Sequence, residues 1–215
     1  MKKLASVLIG ISLLSTIGLS TSSFANSYSR YPAPTLTLEQ KQIIEKLTND
    51  SVTMIDAGAI YSLFMKDMVA KLQLNNPQLS YCLDDKFSKT SYFNFKKQEV
   101  TRYVLSNDIS KVRNDIKILS PELVYAVGNV VSLGVSRKTG LNTQNNPNEF
   151  ISDETKNKFG QLLFDFRYQN LRNAVLFPTK ISRNDTSELL SLKGEGAGYE
   201  LGLKYMAWAY KQCGL

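Results

Sequence analysis

The chain has 215 residues, 26 lysines and arginines against 19 aspartates and glutamates, a formal charge of +7 and no histidine. Without imidazole there is no base for a Ser-His-Asp or Cys-His arrangement, and the usual zinc sites lose their main ligand. Carboxylate-only chemistry of the glycosidase kind survives that exclusion.

The first residues read MKKLASVLIGISLLSTIGLSTSSFA. Lys2 and Lys3 precede a mostly apolar run from Leu4 to Leu19, and Ser23-Phe24-Ala25 offers small residues at the two positions a signal peptidase reads. This predicts a secretory signal peptide over 1–25, cleaved after Ala25. The run is broken by Ser12, Ser15, Thr16 and Gly18, too polar for a membrane anchor. Export to the periplasm or the medium is expected, with no membrane span in the mature chain. Removing 25 residues from 215 leaves 190, one domain by size. Removing Lys2 and Lys3 from a charge of +7 leaves +5, a moderately basic protein. In that compartment the anions are cell-wall polymers, lipid headgroups and acidic proteins, so no nucleic acid partner is expected.

Residues 26–36 are polar with two prolines and read as a flexible lead-in to a helical domain over 37–215. From Leu38, Ile43, Ile44 and Leu47 recur at helical spacing, and Ile60, Leu63, Phe64, Met68 and Leu72 continue it as a helix pair or one broken helix. Met65 and Met68 could hold copper through thioethers, but on an apolar face they read as core, so no metal and no cofactor are expected. Residues 77–95 show no clean period and predict an irregular loop tethered by Cys82. Helices are expected over 96–106 and from Asp108 to Leu119. Ser120-Pro121-Glu122 is a strong helix start, with Gly140 as its stop. The Asn-rich stretch 141–151 predicts an exposed loop. Ser152-Asp153-Glu154 opens a helix expected to run to Asn173, and Asp185 with Glu188 three places on predicts the cap of the last helix. No strand alternation appears. The reading is an all-α, single-domain helical bundle.

Cys82 and Cys213 are the two cysteines, and an oxidising compartment favours a bond between them. The glycines of SLKGEGAGYELGLKY satisfy neither the dinucleotide nor the P-loop pattern. Gly194, Gly198 and Gly202 lie four apart and share one helix face, which predicts close packing against another helix, or else a break.

Two surfaces are candidates for a partner. Lys86, Phe87, Lys89, Tyr92, Phe93, Lys96 and Lys97 interleave cations with aromatics, a mixture that suits an anionic or protein partner. The same pattern also fits a core of Phe87, Phe93 and Phe95 beneath solvated lysines. Asn142, Asn145 and Asn146 in the Asn-rich loop form the second surface. Glu195 and Glu200, with Asp165 and Glu188, are the acids that a carboxylate-dependent enzyme would use.

The signal peptide, DAGAIYSLFMKDMV, the cysteine in NPQLSYC, the helix with VTRYVLSND and the last helix ending in cysteine together resemble the small periplasmic immunity proteins that neutralise cell-wall amidase effectors of type VI secretion. That resemblance implies a helical, disulfide-bonded, non-enzymatic inhibitor that blocks a toxin's active site with a protruding loop. Its partner would be a secreted hydrolase toxin. The competing expectations are a carboxylate-dependent hydrolase of cell-wall glycan and a carrier of an apolar ligand between helices.

Overall fold

A computed structural model describes residues 35–55, 77–86, 88–139, 151–177 and 181–214, with the backbone alone for 133–139, 187, 188, 190, 191, 194 and 195. The expected signal peptide, most of the lead-in, the DAGAIYSLFMKDMV stretch with Met65 and Met68, and the Asn-rich loop lie outside the described residues.

Among the described residues eight α-helices and two 3-10 turns follow one another with no strand, so the fold is all-α as the sequence predicts. Residues from Leu36 onward form one compact unit. Helix α1 spans Leu38–Met54 and opens on a capping box. In it the Thr37 hydroxyl accepts from the Gln40 amide at 3.1 Å, and the Gln40 side chain accepts from the Thr37 amide at 2.9 Å. Ile43, Ile44, Leu47, Thr48, Ser51 and Met54 form its buried face. Two hydroxyls on that face are satisfied without water: Thr48 donates to the Ile44 carbonyl at 2.7 Å and Ser51 to the Val175 carbonyl at 2.6 Å.

Residues 77–95 are not a loop. Helix α2 spans Pro77–Lys86 and α3 spans Lys89–Leu105, capped by the Ser88 hydroxyl on the Ser91 amide at 3.2 Å. The period was hidden because the buried face of α3 reads Tyr92, Phe95, Lys96, Val100, Tyr103 and Val104. A lysine in the middle of that stripe breaks the apolar signal.

Asp108 caps α4 (Ile109–Asp115), accepting from the Ser110 amide at 2.8 Å, and a 3-10 turn covers Ile116–Ile118. Helix α5 spans Pro121–Thr139, and the expected stop at Gly140 lies outside the described residues. The Leu123 amide donates to Ser120 Oγ at 3.4 Å, which realises the predicted start. Helix α1 packs most extensively against α3 and α5. At the α5 contact a Cβ on Gly128 would stand 2.6 Å from the Thr53 carbonyl oxygen. Only a glycine lets the two backbones come so close.

The helix expected from Ser152 to Asn173 is three pieces: α6 (Asp153–Phe164), a 3-10 turn (Phe166–Tyr168) and α7 (Gln169–Val175). The break has two causes. Asp165 is extended and its side chain accepts from the Arg167 amide at 2.9 Å, starting a new turn. Arg172, buried on α7, donates from Nη1 to the Leu162 and Leu163 carbonyls at 3.0 and 2.6 Å. Carbonyls orphaned at the end of α6 are thereby satisfied.

Helix α8 runs unbroken over Ser187–Gln212 and settles the question of a break at the glycines. Its cap is Thr186, whose hydroxyl accepts from the Leu189 amide at 3.2 Å. Asp185, the expected cap, bonds the Ser182 amide and the Lys193 ammonium instead, each at 2.7 Å.

Candidate functional site: the seam of the third and last helices

The C-terminal half of α8 is fastened to α2 and α3. Cys82 and Cys213 form a disulfide, with Cα atoms 6.0 Å apart and a sequence separation of 131. Tyr205 on α8 donates its hydroxyl to the Lys86 carbonyl at the end of α2. Around that bond Tyr92, Phe95, Tyr205 and Trp208 stack with neighbouring ring centroids 5.1 to 6.0 Å apart, the offset and edge geometries that aromatic rings prefer. Burial pushes the Tyr205 phenol well above its usual range.

This cluster corrects the expected contact surface. Tyr92 and Lys96 are fully buried, so neither can meet a partner directly. Lys96 Nζ bonds Glu99 Oε2 at 2.9 Å and stands 6.0 Å from the Phe95 ring centroid. Burial lowers its ammonium below the ordinary lysine value, partly opposed by the Glu99 charge and hydrogen bond. Phe93 is half-buried under Lys97, whose ammonium lies 5.7 Å from the ring centroid. Lys89 and Lys97 are exposed, Lys86 is half-buried, and Phe87 lies outside the described residues, as do Asn142, Asn145 and Asn146.

Lys86 and Lys97 do come together. They line a groove of about 770 Å³ between α3 and the end of α8, with Asn94, Gln98, Arg102 and Trp208 among its other walls. Among the described residues no carboxylate lines it. Lys97 Nζ reaches Glu45 Oε2 at 3.2 Å and Lys86 Nζ reaches Asp85 Oδ2 at 2.8 Å, both in solvent-exposed pairs. Pairs of that kind contribute roughly 0–1 kcal/mol and leave the cations free to be shared. Among the described residues Arg102 has no ion pair. Three cations and a row of amides and hydroxyls therefore face one concavity. Arg102 and Trp208 were not singled out in the sequence; Arg102 sits two turns beyond Asn94 on the same helix face, a signal legible once α3 is known to begin at Lys89.

Of the acids weighed for catalysis, Asp165 and Glu200 are not brought across a cleft. Glu200 pairs with Lys204 at 3.2 Å on the outside of α8. Asp165 is held by its own neighbour, with Arg167 Nη2 at 2.7 Å from Oδ2. Hydrogen bonds hold Asp165, Asp108, Glu122 and Asp185 below the usual carboxylate range, which suits charged caps and not proton donors. The side chains of Glu188 and Glu195 lie outside the described residues. A second cavity, of about 670 Å³, is lined by Phe164, Phe166, Arg172 and Arg183 among others. Neither cavity touches Gly198 or Gly202. Of the glycine face, Gly202 is buried and Gly198 half-buried, while Gly196, two residues before Gly198, is exposed.

No helix among the described residues is long and apolar enough to cross a membrane. The chain matches no family model, and neither a curated protein nor a solved structure is similar to it.

Proposed function

We propose that the protein is an exported, non-enzymatic binding protein of the periplasm, an inhibitor that neutralises a cell-wall-directed hydrolase toxin by covering it. The observation that carries this reading is the groove between α3 and α8, where Lys86, Lys97 and Arg102 converge with no carboxylate among the lining residues. A concavity of one sign steers and orients a partner of the other sign. A general acid and base pair needs carboxylates with separated affinities for protons, whereas Asp108, Glu122, Asp165 and Asp185 all shift downwards. The absence of histidine from the whole chain supports contact over turnover. So does the resemblance to periplasmic immunity proteins in the signal-like start and the two cysteines. The disulfide suits an oxidising compartment.

The partner face would be an acidic segment. The test is affinity capture from the secreted and cell-envelope fractions with the protein and with Arg102→Glu, followed by titration of the captured hydrolase. The reading expects a stoichiometric hydrolase, inhibited on binding, with Arg102→Glu weakening it by roughly tenfold or more and added salt slowing association. Turnover of cell-wall glycan by the purified protein alone, abolished by changing one acid to its amide, would refute it. So would a captured hydrolase whose affinity ignores Arg102→Glu.

A further inference from the structure

Helix α8 carries two apolar faces, and among the described residues only one of them is covered. Ala197, Leu201, Tyr205, Met206 and Ala209 are buried against the rest of the fold. On the other side Leu189, Leu192, Tyr199 and Leu203 are 41, 61, 55 and 44% exposed. With Gly196 between them, these positions step by three, four, three and four residues along an unbroken helix. That is the spacing of a seam made for another helix.

The stripe also reads nearly the same from both ends. Gly196 is its centre: Leu189 lies seven residues before it and Leu203 seven after, Leu192 four before and Tyr199 three after. The charges beside the stripe mirror with it, since Lys193 lies three before Gly196 and Glu200 four after. A Cβ at Gly196 would meet nothing within 4 Å, so this glycine is not there to admit a neighbour from its own chain. A helix-interior glycine costs about 1 kcal/mol against alanine, and a close crossing of two backbones at that point would offset it.

We infer that α8 pairs antiparallel with α8 of a second copy, about a two-fold axis passing at Gly196. A two-fold axis requires a self-complementary patch, and one is supplied by Leu189 and Leu203, mirrored about Gly196, with Leu192 and Tyr199, and the opposite charges Lys193 and Glu200, mirrored to within one residue. In that arrangement Leu189 of each copy meets Leu203 of the other, and Leu192 meets Tyr199. Lys193, already bonded to Asp185, gains Glu200 of the second copy, and Glu200, already bonded to Lys204, gains Lys193. Four large side chains fall short of the roughly 800 Å² per partner of a stable interface, so the pairing is weak and depends on concentration. This surface is separate from the α3–α8 groove, and the inference does not rest on the inhibitor reading.

Sedimentation of the purified protein across roughly micromolar to millimolar concentrations tests it. The expected result is a reversible monomer–dimer equilibrium. Leu192→Glu should weaken it by at least about tenfold, while Leu38→Glu, at an exposed leucine on α1, leaves it unchanged. A protein that stays monomeric throughout overturns the inference, as does a dimer indifferent to Leu192→Glu. A second readout does not need the equilibrium. Gly196→Cys should form a disulfide-linked dimer on a non-reducing gel. Leu189→Cys should not link to itself, its two copies being about 21 Å apart along the axis, but should link when mixed with Leu203→Cys. Self-linking of Leu189→Cys would mean parallel helices and would sink the proposed axis.

Discussion

Two glycines, each in the interior of a long helix, do opposite things. Gly128 on α5 stands where a Cβ would press to 2.6 Å from the backbone of α1, whereas a Cβ on Gly196 of α8 would meet open space. The first region is the hub of the fold, closed by backbone contact and by a continuous core of Leu47, Leu123, Val127 and their neighbours. The second is clamped most visibly at one end. Its C-terminal half is clamped by the disulfide, by Tyr205 and by the aromatic cluster, while its N-terminal half shows an apolar stripe to solvent. A hub needs one apolar face per helix. A helix with two such faces has something left to cover.

The change expected to separate the two regions most strongly is removal of the disulfide. A loop of 131 residues is closed by it, and in the chain-entropy account such a bond contributes about 2–5 kcal/mol. Cys82→Ser with Cys213→Ser should lower stability by that amount. Hydrogen exchange should show the loss in α2 and the end of α8, with α1 and α5 protected as before. Equal loss of protection in α1 would mean that the hub depends on the clamp. Next in size is Gly128→Ala. The clash is with backbone, which cannot swing aside, so the overpacking cost of about 1–3 kcal/mol should exceed the gain of about 1 kcal/mol in helix propensity. A melting temperature at or above that of the parent would show that α1 and α5 have room to part.

How much of this was legible beforehand follows from the same residues. The helix starts at Ser120 and Ser152 were readable because a hydroxyl followed by proline or acids has a local cause. So was the cysteine pair, from compartment alone. The close-packed glycine was not. Four glycines in nine residues drew attention to α8, but a lone Gly128 in a run of valines carries no mark, since what makes it necessary is Thr53, 75 residues away. The break at Asp165 was missed for a similar reason: the carbonyls of α6 are taken up by Arg172, whose role appears only when the chain turns back. For the candidate site, the four lysines and four aromatics of the 86–97 stretch looked alike in sequence. Helical phase divides them, turning Tyr92 and Lys96 inward and Lys97 outward. The starting point of α3, misplaced by seven residues, was the missing datum.

Smaller effects sharpen the contrast further. Gly196→Ala has no clash to meet and in the monomer should raise stability by up to about 1 kcal/mol, opposite in sign to Gly128→Ala. Calorimetry at low concentration checks both. A melting temperature lowered by Gly196→Ala would show that the exposed half of α8 is not a free helix face.

The faintest signal is a slope with pH, and it tests the junction where the two regions meet. Lys96 is fully buried there and its folded-state proton affinity is lowered from the ordinary 10.5, chiefly by burial. As pH climbs towards 10.5 the folded protein releases this proton before the unfolded chain does. The unfolded state then binds more protons, so stability rises with pH over that interval. Tyr103 and Tyr205 act the other way. Burial raises both phenols above the ordinary 10.0, aided at Tyr103 by its bond to Asp115. Above pH 10 the unfolded chain ionises first and stability falls. Denaturant unfolding between neutral pH and pH 11 should therefore show a shallow rise and then a decline, with the rise absent in Lys96→Met and the decline retained. A Lys96→Met protein that keeps the rise would place its origin in some group other than the buried ammonium.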